Sequence, residues 1–220
     1  MALSLVIFDL DGTLIDSVAD LAHAVNGALA DLGAAPLTVQ AVRAMIGDGT
    51  SRLIERALAA RGLARANLAD AHRRFLRRYA ADPVRSTSVY PGVHAALTRL
   101  RERALRLAVC TNKTADLTAT ILARLELAPF FTAVIGGDSL PFHKPDPRVL
   151  QALLARCSAQ PHDALMVGDS EVDAAAAQGA GIPLVLMRYG YRRAALEDIP
   201  CLAALDDFAC LPQLIESLPG

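Results

Sequence analysis

Short, continuously apolar segments recur along the chain and predict the strands of a parallel sheet. Most of them do not alternate between apolar and polar residues, which is typical of strands covered on both faces. Amphipathic stretches between the later segments predict helices, and strand–helix alternation predicts an α/β fold with helices on both faces of the sheet. The predicted strands are 3–8, 105–110, 131–136, 164–168, 182–187 and, with a weaker pattern, 201–205; the predicted helices are 92–103, 114–126, 146–157 and 170–179.

Residues 17 to about 82 lack this alternation of strands and helices. They hold no convincing strand, and their pattern predicts helices at 17–32, 38–46, 50–61 and 66–80. Asp16 or Ser17 can cap the first of these helices, and Thr38 can cap the second. We therefore expect a small all-helical insert at residues 16–85, placed after the first strand of an α/β core domain formed by residues 1–15 and 86–220.

Composition narrows the range of partners and compartments. Of the 220 residues, 53% are hydrophobic and 20% are charged, and the formal net charge is −1. This balance gives no electrostatic reason to expect nucleic acid or an anionic membrane as a partner. The four cysteines form no Cys-x-x-Cys pair, the start lacks the features of a signal peptide, and no apolar run approaches the roughly 20 residues of a membrane span. We expect a reduced, soluble, cytoplasmic protein, and the oligomeric state stays open.

Two aspartates follow the first predicted strand one residue apart, in the sequence DLDGT (9–13). Ionised groups are rarely buried unless they are paired or bound to a metal. Because the carboxyl ends of parallel strands meet at the edge where α/β sheets bind ligands, we expect Asp9 and Asp11 to point into one site while Leu10 turns to the core. Gly12 permits a tight turn, and the hydroxyl of Thr13 can fix the loop.

Matching polar groups follow three other predicted strands. Each group has an ordinary structural explanation, since Asp-Gly is a common turn and Gly-Asp-Ser can cap a helix. Four such groups in this order favour a catalytic site. Together they supply the carboxylates, hydroxyl and lysine that a magnesium-assisted phosphoryl transfer needs, because Mg²⁺ prefers oxygen ligands and cationic donors neutralise the phosphoryl oxygens. The three groups are Thr111-Asn112-Lys113, the segment His143 to Pro147 around Lys144, and the segment Gly168 to Asp173, which includes Asp169.

With these motifs the chain resembles the haloacid dehalogenase-like hydrolase superfamily over nearly its whole length. DLDGT (9–13), Thr111, Lys144 and GDSEVD (168–173) match the four motifs of that superfamily in order. The resemblance implies a Rossmann-like core, with the helical insert as its small cap. Within the superfamily the chain is most similar to bacterial phosphoglycolate phosphatases, through DLAHAVNGAL (20–29), IGDGTSRLIERAL (46–58), VCTNK (109–113), VIGGD (134–138) and RYGY (188–191).

The resemblance implies a role for each matching residue. Asp9 would be the nucleophile that forms an aspartyl-phosphate, and Asp11 would protonate the leaving oxygen and then deprotonate the attacking water. Mg²⁺ would be held by the Asp9 carboxylate, the Asp11 carbonyl and Asp169. Three further residues complete the implied site: Thr111 and Lys144 would hold the phosphoryl oxygens, and Asp173 would act through water or by orienting Lys144.

The presence of Asp11 favours a phosphate monoester as substrate, and the resemblance points to 2-phosphoglycolate, a small phosphorylated metabolite. The turn 46–52 has two glycines before a helix, and we expect Gly49, Thr50 and Arg52 to contact the substrate together with Asn112. A simple turn with a solvated arginine stays open as an alternative. His143 adjoins Lys144 and either shapes the site or lies in solvent. Two rival functions also stay open: a sugar-phosphate mutase of the β-phosphoglucomutase type, and a non-catalytic regulatory or binding protein on the same fold.

Overall fold

Six short strands form one sheet in this computed structural model, which describes residues 3–218. They are β1 (Leu5–Phe8), β4 (Arg106–Cys110), β5 (Ala133–Ile135), β6 (Ala164–Gly168), β7 (Leu184–Met187) and β8 (Ala203–Leu205). Every neighbouring pair is parallel, and the order across the sheet is β5–β4–β1–β6–β7–β8. The six strands coincide with the six apolar segments, so the predicted parallel sheet is confirmed.

The apolar runs form strands because both faces of the sheet are covered. All four residues of β1 are fully buried. Since successive side chains point to opposite faces, Val6 and Phe8 join one hydrophobic cluster, whereas Leu5 and Ile7 join another. The helices α5 (Val93–Glu102), α6 (Ala115–Arg124) and α9 (Leu211–Ser217) contribute to the first cluster, and α7 (Arg148–Arg156) and α8 (Glu171–Ala180) contribute to the second. The predicted α/β fold class is confirmed; α9 had no counterpart in the prediction.

Four helices lie between two very short strands that connect them to the sheet. The strands β2 (Ile15–Asp16) and β3 (Ser88–Val89) pair in antiparallel fashion. Between them, the described residues contain no strand and form α1 (Val18–Ala30), α2 (Val39–Arg43), α3 (Thr50–Ala60) and α4 (Leu68–Ala81). We call residues 18–81 the helical insert. Strands of two residues carry no periodic pattern, which explains why the sequence did not predict β2 and β3.

The ends of the insert helices test the predicted caps. Thr38 accepts a hydrogen bond from the Ala41 backbone N–H at 3.1 Å, as predicted. The residue before α1 is Ser17, but its side chain does not cap that helix, and Asp16 Oδ1 instead accepts from Val18 N at 3.3 Å. The division into a core domain and a cap domain stays a prediction, and its outer limits at residues 1–2 and 219–220 lie outside the described residues.

The strand order creates a crevice beside β1. Along the chain, β4 and β5 extend the sheet to one side of β1, and β6, β7 and β8 extend it to the other. At such a reversal the two neighbouring crossovers lie on opposite faces, so ligands bind at the carboxyl ends of the strands that flank it. β1 and β6 flank it here, which places the residues after Phe8 and Gly168 side by side. Within residues 3–218, no helix combines the length and the apolar character needed to cross a bilayer.

Candidate active site

The loop after β1 brings Asp9 and Asp11 to the crevice. Leu10 between them is fully buried, as predicted from the alternation of side chains. Gly12 has a φ of +88°, and a side chain at this position would collide with the Asp169 carboxylate. The hydroxyl of Thr13 donates to Asp169 Oδ1 at 3.1 Å. Gly12 and Thr13 therefore hold the β1 loop against the residue that follows β6.

Three carboxylates converge at this junction. Asp9, Asp169 and Asp173 each offer an oxygen, and these oxygens lie within 4.8 Å of one another. Burial and the charge of Asp173 raise the pKa of Asp9 to about 6, although the Lys144 ammonium opposes the shift. Burial, Asp173 and Asp9 raise the pKa of Asp169 well above its usual range. A hard divalent cation would offset this repulsion with the oxygen ligands that it prefers, so the residues fit Mg²⁺.

Lys144 carries a buried positive charge into the same junction. Its ammonium lies 2.8 Å from Asp9 Oδ1 and donates a hydrogen bond to Asp173 Oδ1 at 2.7 Å. Burial alone would lower the pKa of Lys144, but the two carboxylates outweigh it and raise the pKa. The ammonium therefore stays charged beside the oxygen of the predicted nucleophile.

Asp173 is fixed by the start of α8. Its Oδ2 accepts hydrogen bonds from the backbone N–H groups of Asp169 and Ser170, both at 3.1 Å, and from the Ser170 hydroxyl at 2.8 Å. Ser170 in turn caps α8, so the pair forms a capping box. With Oδ2 held in this way, Oδ1 faces Lys144; the role of Asp173 in orienting that lysine stays a prediction.

Both oxygens of Asp11 are also held, by different partners. Oδ1 accepts a hydrogen bond from the Ser17 hydroxyl at 2.5 Å, and Oδ2 lies 2.8 Å from the ammonium of Lys113. Lys113 also donates to the Tyr79 hydroxyl at 2.8 Å, and this tyrosine comes from α4 in the helical insert. Burial would lower the pKa of Lys113, but Asp11 and Tyr79 outweigh it and raise the pKa.

The segment after β4 links the insert to the core. Thr111 is buried at the end of β4, and its hydroxyl accepts a hydrogen bond from Lys113 N at 3.3 Å. The amide nitrogen of Asn112 donates to Gly47 O at 3.1 Å and to Lys144 O at 2.8 Å. Asn112 therefore fixes a turn of the insert against the loop that carries Lys144.

A cavity lies between the strand ends and the insert, with about 520 Å³ of free space, part of it open to solvent. The core lines it with the three aspartates 9, 11 and 169 and with polar groups after β4 and β6. The insert lines it with aliphatic side chains and with the turn before α3. The lining residues are Asp9, Asp11, Leu21, Ile46, Gly47, Gly49, Thr50, Leu53, Thr111, Asn112, Lys113, Asp169, Ser170 and Tyr191.

Of the three insert residues that the sequence predicted to contact the substrate, two line the cavity and one does not. Gly49 and Thr50 line the cavity, and the Thr50 hydroxyl is hydrogen-bonded to His72 Nε2 at 2.9 Å. Arg52 does not line it: its side chain is 62% exposed and forms an ion pair with Glu55 at 2.5 Å. This position agrees with the simpler alternative of a solvated arginine, and a contact of Arg52 with the substrate stays a prediction. His143 is exposed, also as the simpler alternative predicted.

Two arginines hold the insert against the loop after β7. Arg43 of α2 donates to the carbonyls of Tyr189 and Gly190 at 2.5 and 2.7 Å, and its guanidinium lies 4.8 Å from the Tyr191 ring centroid. Arg193 of the core lies 2.8 Å from Asp48 Oδ2 in the insert. These contacts keep the turn before α3 closed over the strand ends.

Four residues at the site had no catalytic or binding role of their own in the sequence prediction, although Ser17 was a predicted helix cap and Lys113 belonged to the polar group after β4. They are Ser17, Tyr79, Lys113 and Tyr191. Tyr191 donates its backbone N–H to Asp169 Oδ2 at 2.5 Å and its hydroxyl to Asp16 Oδ1 at 2.7 Å. In the sequence, the RYGY segment that contains it indicates only the resemblance. Lys113 could have been assigned a role, because it directly follows Thr111 and Asn112 at a strand end, whereas Tyr79 lies on a helix 34 positions away.

Comparisons with known proteins agree with this geometry. A family profile described as haloacid dehalogenase-like hydrolase matches residues 6–187. The chain belongs to the haloacid dehalogenase-like hydrolase family. A phosphoglycolate phosphatase from Rhodospirillum rubrum is 47% identical over 212 residues, which cover 94% of this chain and 88% of that protein. One from Cereibacter sphaeroides is 45% identical over 219 residues, covering 97% and 98%.

A solved structure extends the comparison to the whole fold. The crystal structure of a predicted phosphoglycolate phosphatase from Haemophilus somnus superposes with a TM-score of 0.92 at 32% identity, and the match covers 96% of this chain and 97% of that one. Together with the family match, these relatives show that this haloacid dehalogenase-like hydrolase is a phosphoric monoester hydrolase similar to phosphoglycolate phosphatases.

Proposed function

We propose that this enzyme is a Mg²⁺-dependent phosphatase that hydrolyses 2-phosphoglycolate through an aspartyl-phosphate at Asp9. The observation that carries the chemistry is the placement of two carboxylates on one loop in different surroundings. Asp9 lies in the acidic junction beside Lys144, whereas Asp11 lies between Ser17 and Lys113. Two carboxyl groups in different environments can perform two different roles in one reaction.

In the first half of the proposed reaction, a carboxylate oxygen of Asp9 attacks phosphorus in line. The bond between phosphorus and the ester oxygen breaks as the bond to Asp9 forms. Asp11 gives its proton to the departing oxygen, so glycolate leaves as an alcohol and not as a poor alkoxide leaving group. The phosphoryl group is then carried by Asp9, which divides one difficult displacement into two easier ones.

In the second half, water attacks the same phosphorus. Asp11, now ionised, removes a proton from that water, and the bond between phosphorus and Asp9 breaks. Inorganic phosphate leaves, the Asp9 carboxylate is regenerated, and Asp11 again holds its proton. One water is consumed, and the products are glycolate and phosphate.

The surrounding residues supply charge and orientation for both halves. Lys144, held by Asp173, and the hydroxyl of Thr111 would hold phosphoryl oxygens, whose negative charge must be stabilised in the transition state. The carboxylates of Asp9 and Asp169 and the carbonyl of Asp11 would hold Mg²⁺, which neutralises phosphoryl charge when bound. The closed insert would limit the access of bulk water to the aspartyl-phosphate.

The proposed substrate rests on two supports. Relatives at 45–47% identity over nearly the whole chain are named phosphoglycolate phosphatase. The insert also lines the cavity with the aliphatic side chains Leu21, Ile46 and Leu53, which offer few polar groups to a sugar ring.

Initial rates over a panel of monoesters, each with Mg²⁺ and with excess EDTA, test this proposal. The panel contains 2-phosphoglycolate, ethyl phosphate, p-nitrophenyl phosphate and β-glucose 1-phosphate. We expect Mg²⁺-dependent release of inorganic phosphate, with the highest kcat/KM for phosphoglycolate. Transfer of the phosphoryl group to a sugar hydroxyl without its release would indicate a mutase, and equal kcat/KM for phosphoglycolate and ethyl phosphate would contradict the proposed substrate.

A further inference from the structure

Lysine is rare in this chain, and its two positions are notable. Of the 22 cationic residues, 20 are arginine and only Lys113 and Lys144 are lysine. Both lysine side chains are buried, and both ammonium groups lie at the candidate active site. An ammonium is a compact charge that fits beside an anion in a confined space, whereas a guanidinium is a broad planar fork. Lys144 has a place in the proposed chemistry, and Lys113 has none so far.

The surroundings of Lys113 place its charge on the leaving-group side of the cavity. Its ammonium lies 2.8 Å from Asp11 Oδ2, the carboxyl group proposed to protonate the departing oxygen. A group that protonates this oxygen must lie next to it, so Lys113, in contact with Asp11, lies near the leaving group. In 2-phosphoglycolate, the carboxylate is separated from the ester oxygen by a single carbon atom. This carboxylate would therefore reach the region of Lys113.

Lys113 is also the one cation among the described residues that line the cavity. Four arginines nearby have partners elsewhere: Arg52 pairs with Glu55, Arg43 binds backbone carbonyls, and Arg56 and Arg193 both bind Asp48. Burial lowers the pKa of His72, which disfavours a positive charge on its ring. Lys144 is assigned to the phosphoryl oxygens, so among the described residues that line the cavity Lys113 is the cation left for a second anionic group of the substrate.

The ammonium of Lys113 has capacity for another acceptor. It carries three N–H donors, of which Asp11 and the Tyr79 hydroxyl occupy two. Tyr79 belongs to the insert, is fully buried and stacks on Phe75 with ring centroids 5.7 Å apart. Its ring also lies 4.6 Å from the Lys113 nitrogen. The insert thus fixes the direction of the ammonium when it closes.

Resting on the proposed function, we propose that Lys113, positioned by Tyr79, binds the carboxylate of the substrate and sets the preference for carboxylated phosphate monoesters. The N-terminal end of α3, with Thr50, lies across the same cavity and adds polar contacts on the insert side. The preference then depends on closure of the insert, because Tyr79 and Thr50 come from the insert and Lys113 comes from the core.

The test compares kcat/KM for phosphoglycolate and for ethyl phosphate, which has the same phosphoryl group and no carboxylate. Lys113→Met should lower kcat/KM for phosphoglycolate roughly ten- to a hundred-fold more than for ethyl phosphate, mainly through KM, as expected for one lost charge-assisted contact. Any effect that acts only through Asp11 would lower both values alike. Lys113→Arg, which keeps the charge, should restore part of the preference, and Tyr79→Phe should reduce it several-fold.

A matched control is a variant of Arg106, the first residue of β4, because Lys113 follows the other end of this strand. Arg106→Met removes a partly buried cation from the start of β4, where it donates to Ser4 Oγ at 3.0 Å. This variant should keep the wild-type ratio between the two substrates. Thermal unfolding of every variant establishes that it is folded.

The two lysines also permit a direct binding measurement. In Asp9→Asn protein with Mg²⁺ and ¹⁵N-labelled lysine, phosphoglycolate should shift the Lys113 side-chain signal much more than ethyl phosphate does. If Lys113→Met retains the wild-type preference, or if both ligands shift that signal equally, the carboxylate assignment is wrong while the phosphatase proposal stands. If the wild type itself shows no preference for phosphoglycolate, the proposed substrate fails, and this assignment fails with it.

Discussion

The ammonium of Lys144 lies 2.7 Å from Asp173 Oδ1, and both side chains are almost completely buried. Removing one partner of a buried ion pair leaves the other charge uncompensated, which is strongly destabilising. Asp9 lies near Lys144 as well, so the loss of Asp173 is partly offset. We expect Asp173→Asn to lower the free energy of unfolding by about 3 kcal/mol and to reduce kcat for every monoester, as measured by urea unfolding and initial rates.

Ser170→Ala is the matched control for this prediction. It removes the side-chain cap of α8 but leaves the pair of Lys144 and Asp173 in place. A lost N-cap costs about 1 kcal/mol, so the two variants should differ clearly in stability. Equal losses would mean that Asp173 matters only as part of the cap and does not orient Lys144.

The loss of rate on replacing Asp11 should increase as the leaving group becomes poorer. An alkoxide needs a proton to leave, whereas p-nitrophenolate leaves without one. Asp11→Asn should therefore slow phosphoenzyme formation from an alkyl phosphate by at least ten-fold more than from p-nitrophenyl phosphate, since proton transfer contributes roughly 10²–10⁴-fold to rates. Single-turnover rates measure this step separately from dephosphorylation. An equal loss for the two substrates would remove the general-acid role from Asp11.

Metal binding at the acidic junction should compete with protons. Burial and Asp173 raise the pKa of Asp9 to about 6, so this carboxyl group becomes protonated as the pH falls below that value. A bound cation requires the ionised form, and binding therefore releases protons. Mg²⁺ affinity measured by calorimetry should weaken as the pH falls below about 6, by about ten-fold per pH unit for each carboxyl group that becomes protonated.

The Asp9→Asn variant supplies the comparison for this titration. It should bind Mg²⁺ more weakly and release fewer protons at pH 6, as judged from binding enthalpies in buffers with different ionisation enthalpies. The same Mg²⁺ affinity at pH 5 and pH 7.5 in the wild type would show that the junction does not hold the metal in the way described.

Arg43 should control how tightly the helical insert closes. Arg43→Met removes two hydrogen bonds to the carbonyls of Tyr189 and Gly190. At about 1 kcal/mol for each bond, we expect KM for phosphoglycolate to rise about thirty-fold and hydrogen exchange at residues 45–53 to accelerate.

Arg101 makes the same kind of contact away from the cavity. It donates to Pro129 O at 2.9 Å, and its guanidinium lies 5.9 Å from the Phe130 ring centroid. Arg101→Met should leave KM and the exchange of residues 45–53 unchanged. If Arg43→Met behaves like Arg101→Met, the contact of α2 with the loop after β7 does not govern closure of the insert. The prediction that the insert is a separate cap domain would then lose this support.

The sequence predicted the sheet and the positions of its functional groups because both depend on local patterns. Continuous apolar runs such as residues 164–168 can be buried on both faces only in a parallel sheet, and a polar residue directly after such a run must lie at its carboxyl end. These two local rules are sufficient to place Asp9, Asp169 and Thr111 at one edge of the sheet.

Contacts between elements that are far apart in the sequence leave no local pattern from which they could be predicted. The pairing of Tyr79 with Lys113 joins a helix of the insert to the end of β4, and amphipathic spacing explains Tyr79 equally well as an ordinary core residue. Arg52 illustrates a second limit, since a cation near two glycines favours a substrate contact in the sequence. Its direction depends on the rotation of α3, which the turn sequence does not define, and the helix points this side chain to solvent beside Glu55.

Covalent catalysis by Asp9 is the central claim, and trapping the phosphoenzyme tests it most directly. Asp11→Asn should still be phosphorylated by p-nitrophenyl phosphate in the presence of Mg²⁺ but should be slow to hydrolyse the acyl phosphate, so the intermediate accumulates. Borohydride reduces an aspartyl-phosphate to homoserine, which peptide mass spectrometry locates in the chain. We predict homoserine at position 9 alone, and none when Asp9 is also replaced by Asn. Homoserine at another position, or its absence from phosphorylated protein, would contradict the account.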